Sequence, residues 1–247
     1  MRSALSAVVL PRHGISVGSH PIVRRYMNGV FNLRPPRPRY RATWDVTVVL
    51  NYLRSLGPNE SLTLKNLTMK LVTLISLISG QRCQTLALIN LDNAYPTAQG
   101  VTFVITDLIK TSKAGKPPAN IILESYPHDD LLCVMGVFKA YLREMRTYRK
   151  KKRYLFLSYV RPHRVAGSQT ISRWIKTTLK MAGVDTDIFK AHSTRAAACS
   201  AALSHGTPLE VIMKSAGWTK STTFARYYNK PIVQHDSFAK SVLMSTK

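Results

Sequence analysis

Carboxylates are what this sequence has least of. Twelve Asp and Glu stand against 36 Lys and Arg in 247 residues, a formal charge of +24. None precedes Asp45, and none lies between Glu144 and Asp185, a stretch that carries eleven basic side chains. So large an excess points to a polyanionic partner, with an anionic membrane surface and plain solubility as lesser explanations. Cysteine is scarce as well. Cys83, Cys133 and Cys199 are odd in number and far apart, which argues against a disulfide framework or a zinc-ligand spacing and fits reduced structural thiols in an intracellular protein. Long apolar runs are missing too: "LVTLISLISG", between Lys70 and Arg82, is too short to cross a bilayer.

What is present divides the chain. The start, "MRSALSAVVLPRHG", bears Arg and no acid like a transit peptide, but its apolar run stops at Pro11 and it reads as the edge of a larger domain. The segment "NLRPPRPRYRATW", Asn32 to Trp44, cannot be helical through Pro35, Pro36 and Pro38 and reads as a basic linker. Beyond it, "TWDVTVVLNYLRSLG" has helical spacing and stops at Gly57, and "SLTLKNLTMKLVTLISLISG" has a Ser or Thr cap and apolar side chains all round, the pattern of a buried helix. "GVTFVITDLI" and "PPANIILES" are β-branched runs on either side of the basic turn "KTSKAGK", the pattern of a small sheet. Helices are expected in "DLLCVMGVFKAYLREM", "SQTISRWIKTTLKMAG", "HSTRAAACSAALSHG", "PLEVIMKSAG" and "STTFARYYN". The fold class expected is mainly α with a small antiparallel β-sheet. The basic run "TYRKKKRY", Thr147 to Tyr154, is either a surface that tracks phosphates, a nuclear-import patch or a solvated loop.

Residues able to do chemistry are spread along the chain. Arg82 in "SGQRCQTL" follows the glycine that ends the buried helix. His192 and Arg195 in "HSTR" are three apart, so they address one ligand from one helix face. "GWTKSTTFARYYNKP" supplies Trp218 and the pair Tyr227 and Tyr228. Attack by a tyrosine on a DNA phosphodiester needs such a set. Guanidiniums fork onto the non-bridging oxygens and stabilise the charge of the transition state. A phenol, which ionises near pH ~10 on its own, needs a base and a positive field, and His192 is the natural base. The leaving 5′ oxygen needs a proton, which a positioned Lys could donate. Singly, each residue has a plainer explanation: a helix cap for Arg82 or His192, core packing for the three aromatics. The ordered set is what makes coincidence improbable.

With those residues in order, roughly Arg39 to Pro231 resembles the tyrosine recombinases, also called phage integrases. The resemblance implies that Arg82 is the first catalytic arginine, that Lys110 in "LIKTSKAGK" is the β-turn lysine, with Lys113 and Lys116 as alternatives, and that His192, Arg195 and Trp218 complete the cationic site. Nine residues after Trp218 stands Tyr227, the usual family spacing for the nucleophile. The stretches "HPIVRRYMNGVFNLRPPRPRY", "SGQRCQTL" and "TFARYYNKP" look most like recombinases of DIRS-type retroelements, and that branch selects Tyr228 instead. The two phenols point about 100° apart on a helix, so only one can face the arginines. Thr85 stands where many members carry an acidic residue.

The resemblance implies a tyrosine recombinase catalytic domain over 39–231, preceded by a remnant of a core-binding domain and the basic linker over 1–38 and followed by a tail over 232–247. It implies cleavage and rejoining of double-stranded DNA through a 3′-phosphotyrosine, with neither ATP, metal nor other cofactor, a homo-tetramer on DNA, no membrane and a place in the nucleus. Two rivals stand beside it: a module that keeps the fold and binds DNA without catalysis, and an unrelated basic RNA-binding protein.

Overall fold

The computed structural model describes residues 6–9, 14–35, 40–115, 117–218 and 221–232, without the side chains of residues 223, 226 and 227. Backbone contacts divide the chain into two units, Met1–Arg39 and Tyr40–Lys247.

In the first unit a helix, α1, spans Pro21–Leu33. Proline at its first position costs no hydrogen bond, and the His20 ring accepts from the Ile22 amide at 3.3 Å. None of its residues is buried. Beyond it Arg34 and Pro35 have left the helix, as the prolines require, and the rest of the Pro/Arg-rich segment up to residue 39 lies outside the described residues.

The second unit is mainly helical with one small sheet, as its patterning predicts. Its helices are α2 (Val46–Ser55), α3 (Leu64–Ser79), α4 (Cys83–Ala87), α5 (Val134–Arg149), α6 (Ser168–Met181), α7 (Ser193–Ser204), α8 (Leu209–Ala216) and α9 (Ser221–Tyr227). α3 is the axis of the core. The Thr63 hydroxyl caps its start, accepting from the Asn66 amide, and Gly80 closes it in the left-handed region at φ 57°. From Leu67 to Leu77 it is buried on every side, because α4, α5, α6 and α7 all pack against it. Leu67, Leu71, Val72 and Ile75 are fully enclosed, each stabilising the fold by about 1.5–3 kcal/mol relative to an exposed side chain. A smaller apolar cluster forms at the far end of the chain from Cys199, Ile212, Ala216, Trp218 and Phe224.

The sheet has three antiparallel strands in the order β1 (Ala94–Thr97), β2 (Gly100–Ile105), β3 (Ala119–Glu124). Gly100 pairs with both Thr97 and Glu124, and a Cβ there would run into the Leu123 carbonyl, so only glycine fits the turn. Strict alternation in β2 buries Val101, Phe103 and Ile105, and the Phe103 ring meets Phe138 of α5 edge to face at 5.7 Å. β1 carries Pro96 and escapes the sequence patterning. It is an edge strand, where a missing N–H is tolerated.

Two expectations need adjustment. α5 begins at Val134, four residues later than "DLLCVMGV" implies, because the Asp129 carboxylate takes the Leu131 and Leu132 amides and turns the chain there. The basic run after it is not wholly solvated. Arg149 folds inward and donates to the carbonyls of Tyr154 at 2.6 Å and Leu155 at 2.7 Å, while Lys150, Lys151 and Arg153 stay exposed. All three cysteines are free, as the reduced-thiol reading expects. Among the described residues no helix is long and apolar enough to cross a membrane. Apart from Ile232, the segment expected to be a tail, 232–247, lies outside the described residues.

Candidate active site

The amino-terminal end of α7 is fixed by buried hydroxyls. Ser76 of α3 donates to the Thr194 hydroxyl at 3.0 Å, and Thr194 in turn donates to the Ala191 carbonyl at 2.7 Å. Ser193 accepts the Trp44 indole N–H at 2.8 Å. These bonds tie α7 to α3 and to the chain entering α2, and they set the direction of the two side chains that matter. His192, the residue preceding the helix, is exposed; Arg195, one turn in, is 1% exposed.

A buried guanidinium normally has all its donors occupied. Arg195 does not. Nη2 donates to the Ala216 carbonyl at 3.1 Å, whereas Nε and Nη1 have no partner among the described residues. Its carbon lies 4.9 Å from the centre of the Trp218 ring and 5.4 Å from that of Tyr228. Burial, and then the neighbouring Arg82 charge, push its pKa down to about 10, against an attraction to Tyr228 and Cys199. The group remains a cation at neutral pH, with two hydrogen-bond donors unspent.

The segment carrying the aromatics is sewn to the end of α3. α8 closes at Gly217, in the left-handed region at φ 70°. Gln81 donates to the Ser215 carbonyl at 2.6 Å, and Ser215 donates to the Ser79 carbonyl at 3.2 Å. Trp218 emerges from that junction and packs against Phe224 at 5.4 Å and Tyr228 at 4.4 Å. Its indole N–H is buried and unpartnered among the described residues. Tyr228 follows the last residue of α9, its amide donating to Phe224. Its hydroxyl oxygen lies 3.3 Å from Nε2 of His192, with the two rings edge to face at 6.0 Å.

Arg82 precedes α4 and lines an open recess of about 430 Å³ together with Gln84, Ser168, Ser172 and His192. Cys83 lies in the same wall, and burial pushes its thiol up, out of the thiolate range at neutral pH. The recess is therefore cationic and hydroxyl-lined, with Arg82 close enough for its charge to disfavour that of Arg195.

Of the residues singled out from sequence, the fold brings together Arg82, His192, Arg195, Trp218 and Tyr228. Tyr227 closes α9, and its side chain lies outside the described residues. Lys110 is exposed in the connection between β2 and β3, in a turn closed by the Ser112 amide on the Ile109 carbonyl. No contact joins it to the arginines or the tyrosine. Leu108, two residues away, lines a neighbouring recess that shares Gln84 and Ser168 with the first. Lys113 is exposed on the same connection, and Lys116 lies outside the described residues. Thr85 is buried. Sequence reasoning missed Trp44, Gln81 and Ser200, whose partners are remote in the chain. Among the described residues, no group of three or more His, Cys, Asp or Glu could hold a metal ion.

Comparison with known proteins bears on this arrangement. The profile of the phage integrase family matches residues 56–233. Among solved structures, a XerH site-specific recombinase bound to its difH substrate in a pre-cleavage complex is 13% identical with a TM-score of 0.59, covering 83% of this chain and 53% of its own. A XerA recombinase is 16% identical at a TM-score of 0.57, covering 88% of this chain and 68% of its own. A lambda integrase dimer bound to a COC' core site is 15% identical at a TM-score of 0.50, covering 93% and 57%. The chain thus spans about half the length of the XerH recombinase it matches. At such identities the likeness speaks for the fold. No protein with a curated description matches the sequence.

Proposed function

The chain belongs to the phage integrase family, and from that premise we propose that it cuts and rejoins double-stranded DNA through a phosphotyrosine formed on Tyr228. The observation that carries this reading is the meeting of Tyr228 with two groups at the start of α7, His192 and Arg195, that lie far from it in sequence. The Tyr228 hydroxyl lies 3.3 Å from His192 and its ring stands over Arg195, whose Nε and Nη1 are buried with no hydrogen-bond partner among the described residues. Unsatisfied buried donors beside a nucleophile are what an anionic transition state would complete.

In the proposed reaction the Tyr228 oxygen attacks the phosphorus of a strand, and His192 accepts the phenolic proton. The bond from phosphorus to the 5′ oxygen breaks, leaving a 3′-phosphotyrosine and a 5′ hydroxyl. Arg82 and Arg195 hold the non-bridging oxygens, with the Trp218 N–H as a further donor. A 5′ hydroxyl from another strand then reverses the step, so the phosphodiester energy is conserved in the covalent link. Lys110 is proposed to protonate the leaving 5′ oxygen, supported by its place on the connection whose Leu108 borders the adjoining recess. Positioning and charge supply the catalysis, as in phosphoryl transfer generally.

Finer readings follow from the same residues. The stretches "SGQRCQTL" and "TFARYYNKP" support a kinship with DIRS-type retroelement recombinases. The exposed Lys150, Lys151 and Arg153 support a role in the nucleus. Domain-wise, 39–231 is the proposed catalytic domain, with 1–38 proposed to belong to a core-binding domain, and the proposed assembly is a DNA-bound tetramer. The XerH recombinase was captured bound to its difH substrate, and the lambda integrase as a dimer bound to a COC' core site. By that likeness double-stranded DNA is the partner, its affinity falling steeply with salt. One observation favours a second reading, a module that binds DNA without cutting it: among the described residues, no hydrogen bond or ring contact joins Lys110 to Arg82, His192, Arg195, Trp218 or Tyr228.

A nicked suicide duplex separates the two readings. Strand cleavage leaves a covalent protein–DNA adduct that survives denaturing electrophoresis. Salt-sensitive binding without any adduct defeats the cleavage reading in favour of the binding module.

A further inference from the structure

Serine in a helix interior usually turns its hydroxyl back onto its own helix, as Ser204 does on the Ala201 carbonyl at 2.8 Å. Ser200, buried in the same helix, does not. Its hydroxyl donates to the Tyr228 carbonyl at 2.9 Å and accepts from the Lys230 amide at 3.1 Å. Both of its hydrogen-bonding capacities are thus used on the short span that begins at Tyr228. α9 has ended at Tyr227, so no further helical turn supplies a donor for the Tyr228 carbonyl. Ser200 replaces it.

The anchoring continues on both sides. Downstream, the Pro231 carbonyl accepts the Thr43 amide at 2.9 Å, and Ile232 bridges to Thr43 in parallel pairing. The next residue, Trp44, donates to Ser193, which stands seven positions before Ser200 and therefore on the same face of α7. One helix, α7, is preceded by His192, contains Arg195, and also grips the backbone from which Tyr228 projects.

We infer that Ser200 is a positioning residue for Tyr228: its hydroxyl, bonded to the backbone on both sides of Asn229, keeps the phenol at His192 and over Arg195. The inference rests on the reading of Tyr228 as nucleophile. It adds a residue that touches neither DNA nor the reacting atoms and acts only through the tyrosine.

The test joins single-turnover cleavage of the suicide duplex to the NMR resonance of ¹³Cζ-labelled Tyr228, which needs no turnover. Ser200→Ala is expected to slow adduct formation about 10- to 100-fold with duplex affinity within about twofold of the parent, the pattern of lost alignment. The Tyr228 resonance moves in the same variant. Ser200→Thr keeps a donor and an acceptor and restores both readouts, and Ser204→Ala on the same helix matches the parent. Should Ser200→Ala fail to fold, Ser200→Cys, close in volume and a weak donor, takes its place with the same expectation. The inference is overturned by an unchanged cleavage rate, by a rate that falls only together with affinity, or by an unmoved Tyr228 resonance. A parent chain that forms no adduct would sink the cleavage reading alone, because the resonance still decides whether Ser200 places the phenol.

Discussion

Nε2 of His192 and the hydroxyl oxygen of Tyr228 lie 3.3 Å apart, although 36 residues separate them in sequence. That distance puts a base within reach of one phenol of an adjacent pair. Tyr228→Phe is therefore expected to abolish the covalent adduct on a nicked duplex while leaving duplex binding intact. Tyr227→Phe should retain the adduct. The reverse result would make Tyr227 the nucleophile.

In the proposed reaction Arg195 trades stability for chemistry. Its charge is buried with two nitrogens unpartnered among the described residues, so an apolar side chain of similar length should fit the site at lower cost. Arg195→Met is expected to raise the melting temperature by ~2–4 °C, on the order of 1 kcal/mol, in a chain of this size. It should at the same time remove adduct formation. A variant that melts earlier would mean that the guanidinium supports the fold more than it strains it.

Trp218 offers a cleaner separation of packing from hydrogen bonding. Trp218→Phe keeps an aromatic ring against Phe224 and Tyr228 but deletes the buried indole N–H. If that donor is held for a phosphate oxygen, cleavage falls by roughly 10-fold or more, as when a transition-state donor is removed, with little change in melting. Trp218→Ala should lower both, by emptying the smaller apolar cluster.

Lys70 gives a pH signature far from the site. Its side chain is fully buried in α3, and Nζ donates to the Gly57 carbonyl at 3.2 Å. Burial lowers its pKa from 10.5, partly countered by the charges of Asp129 and Glu60. A lowered native pKa means that the unfolded chain binds the proton more readily. Between that lowered value and 10.5, the Lys70 contribution to stability therefore rises with pH; below it, the penalty is constant. Urea unfolding of the parent and of Lys70→Met across this window should show the stability gap between them changing in the parent's favour as pH rises. A constant gap would show that Lys70 does not titrate differently on folding.

Local rules made much of the fold legible in advance. The all-round apolarity of Leu64–Ser79 announced the central helix, and alternation in Val101, Phe103 and Ile105 announced the middle strand. The edge strand with Pro96 was hidden, because its proline argues against a strand everywhere except at a sheet margin. Among site residues, Arg82, His192, Arg195, Trp218 and the tyrosine pair stood out by type and order. Which phenol meets His192 did not, since the answer depends on how the chain leaves α9. Ser200 and Gln81 were beyond reach for a related reason: their partners, at 228, 230 and 215, are neighbours only after α7 has packed on α3 and α8 on α7. Lys110 shows the opposite case, a residue chosen by motif order whose connection the fold leaves at the margin of the site.

The pairing of Thr43 with Pro231 and Ile232 makes the stretch 43–232 a nearly closed ring of polypeptide. Its two ends are spliced side by side, so a short peptide could join them and the chain could be opened elsewhere. The exposed connection around Gly115 would serve as the new start. Such a circular permutant would keep the register of every helix, and it would carry Tyr228 in the middle of the gene.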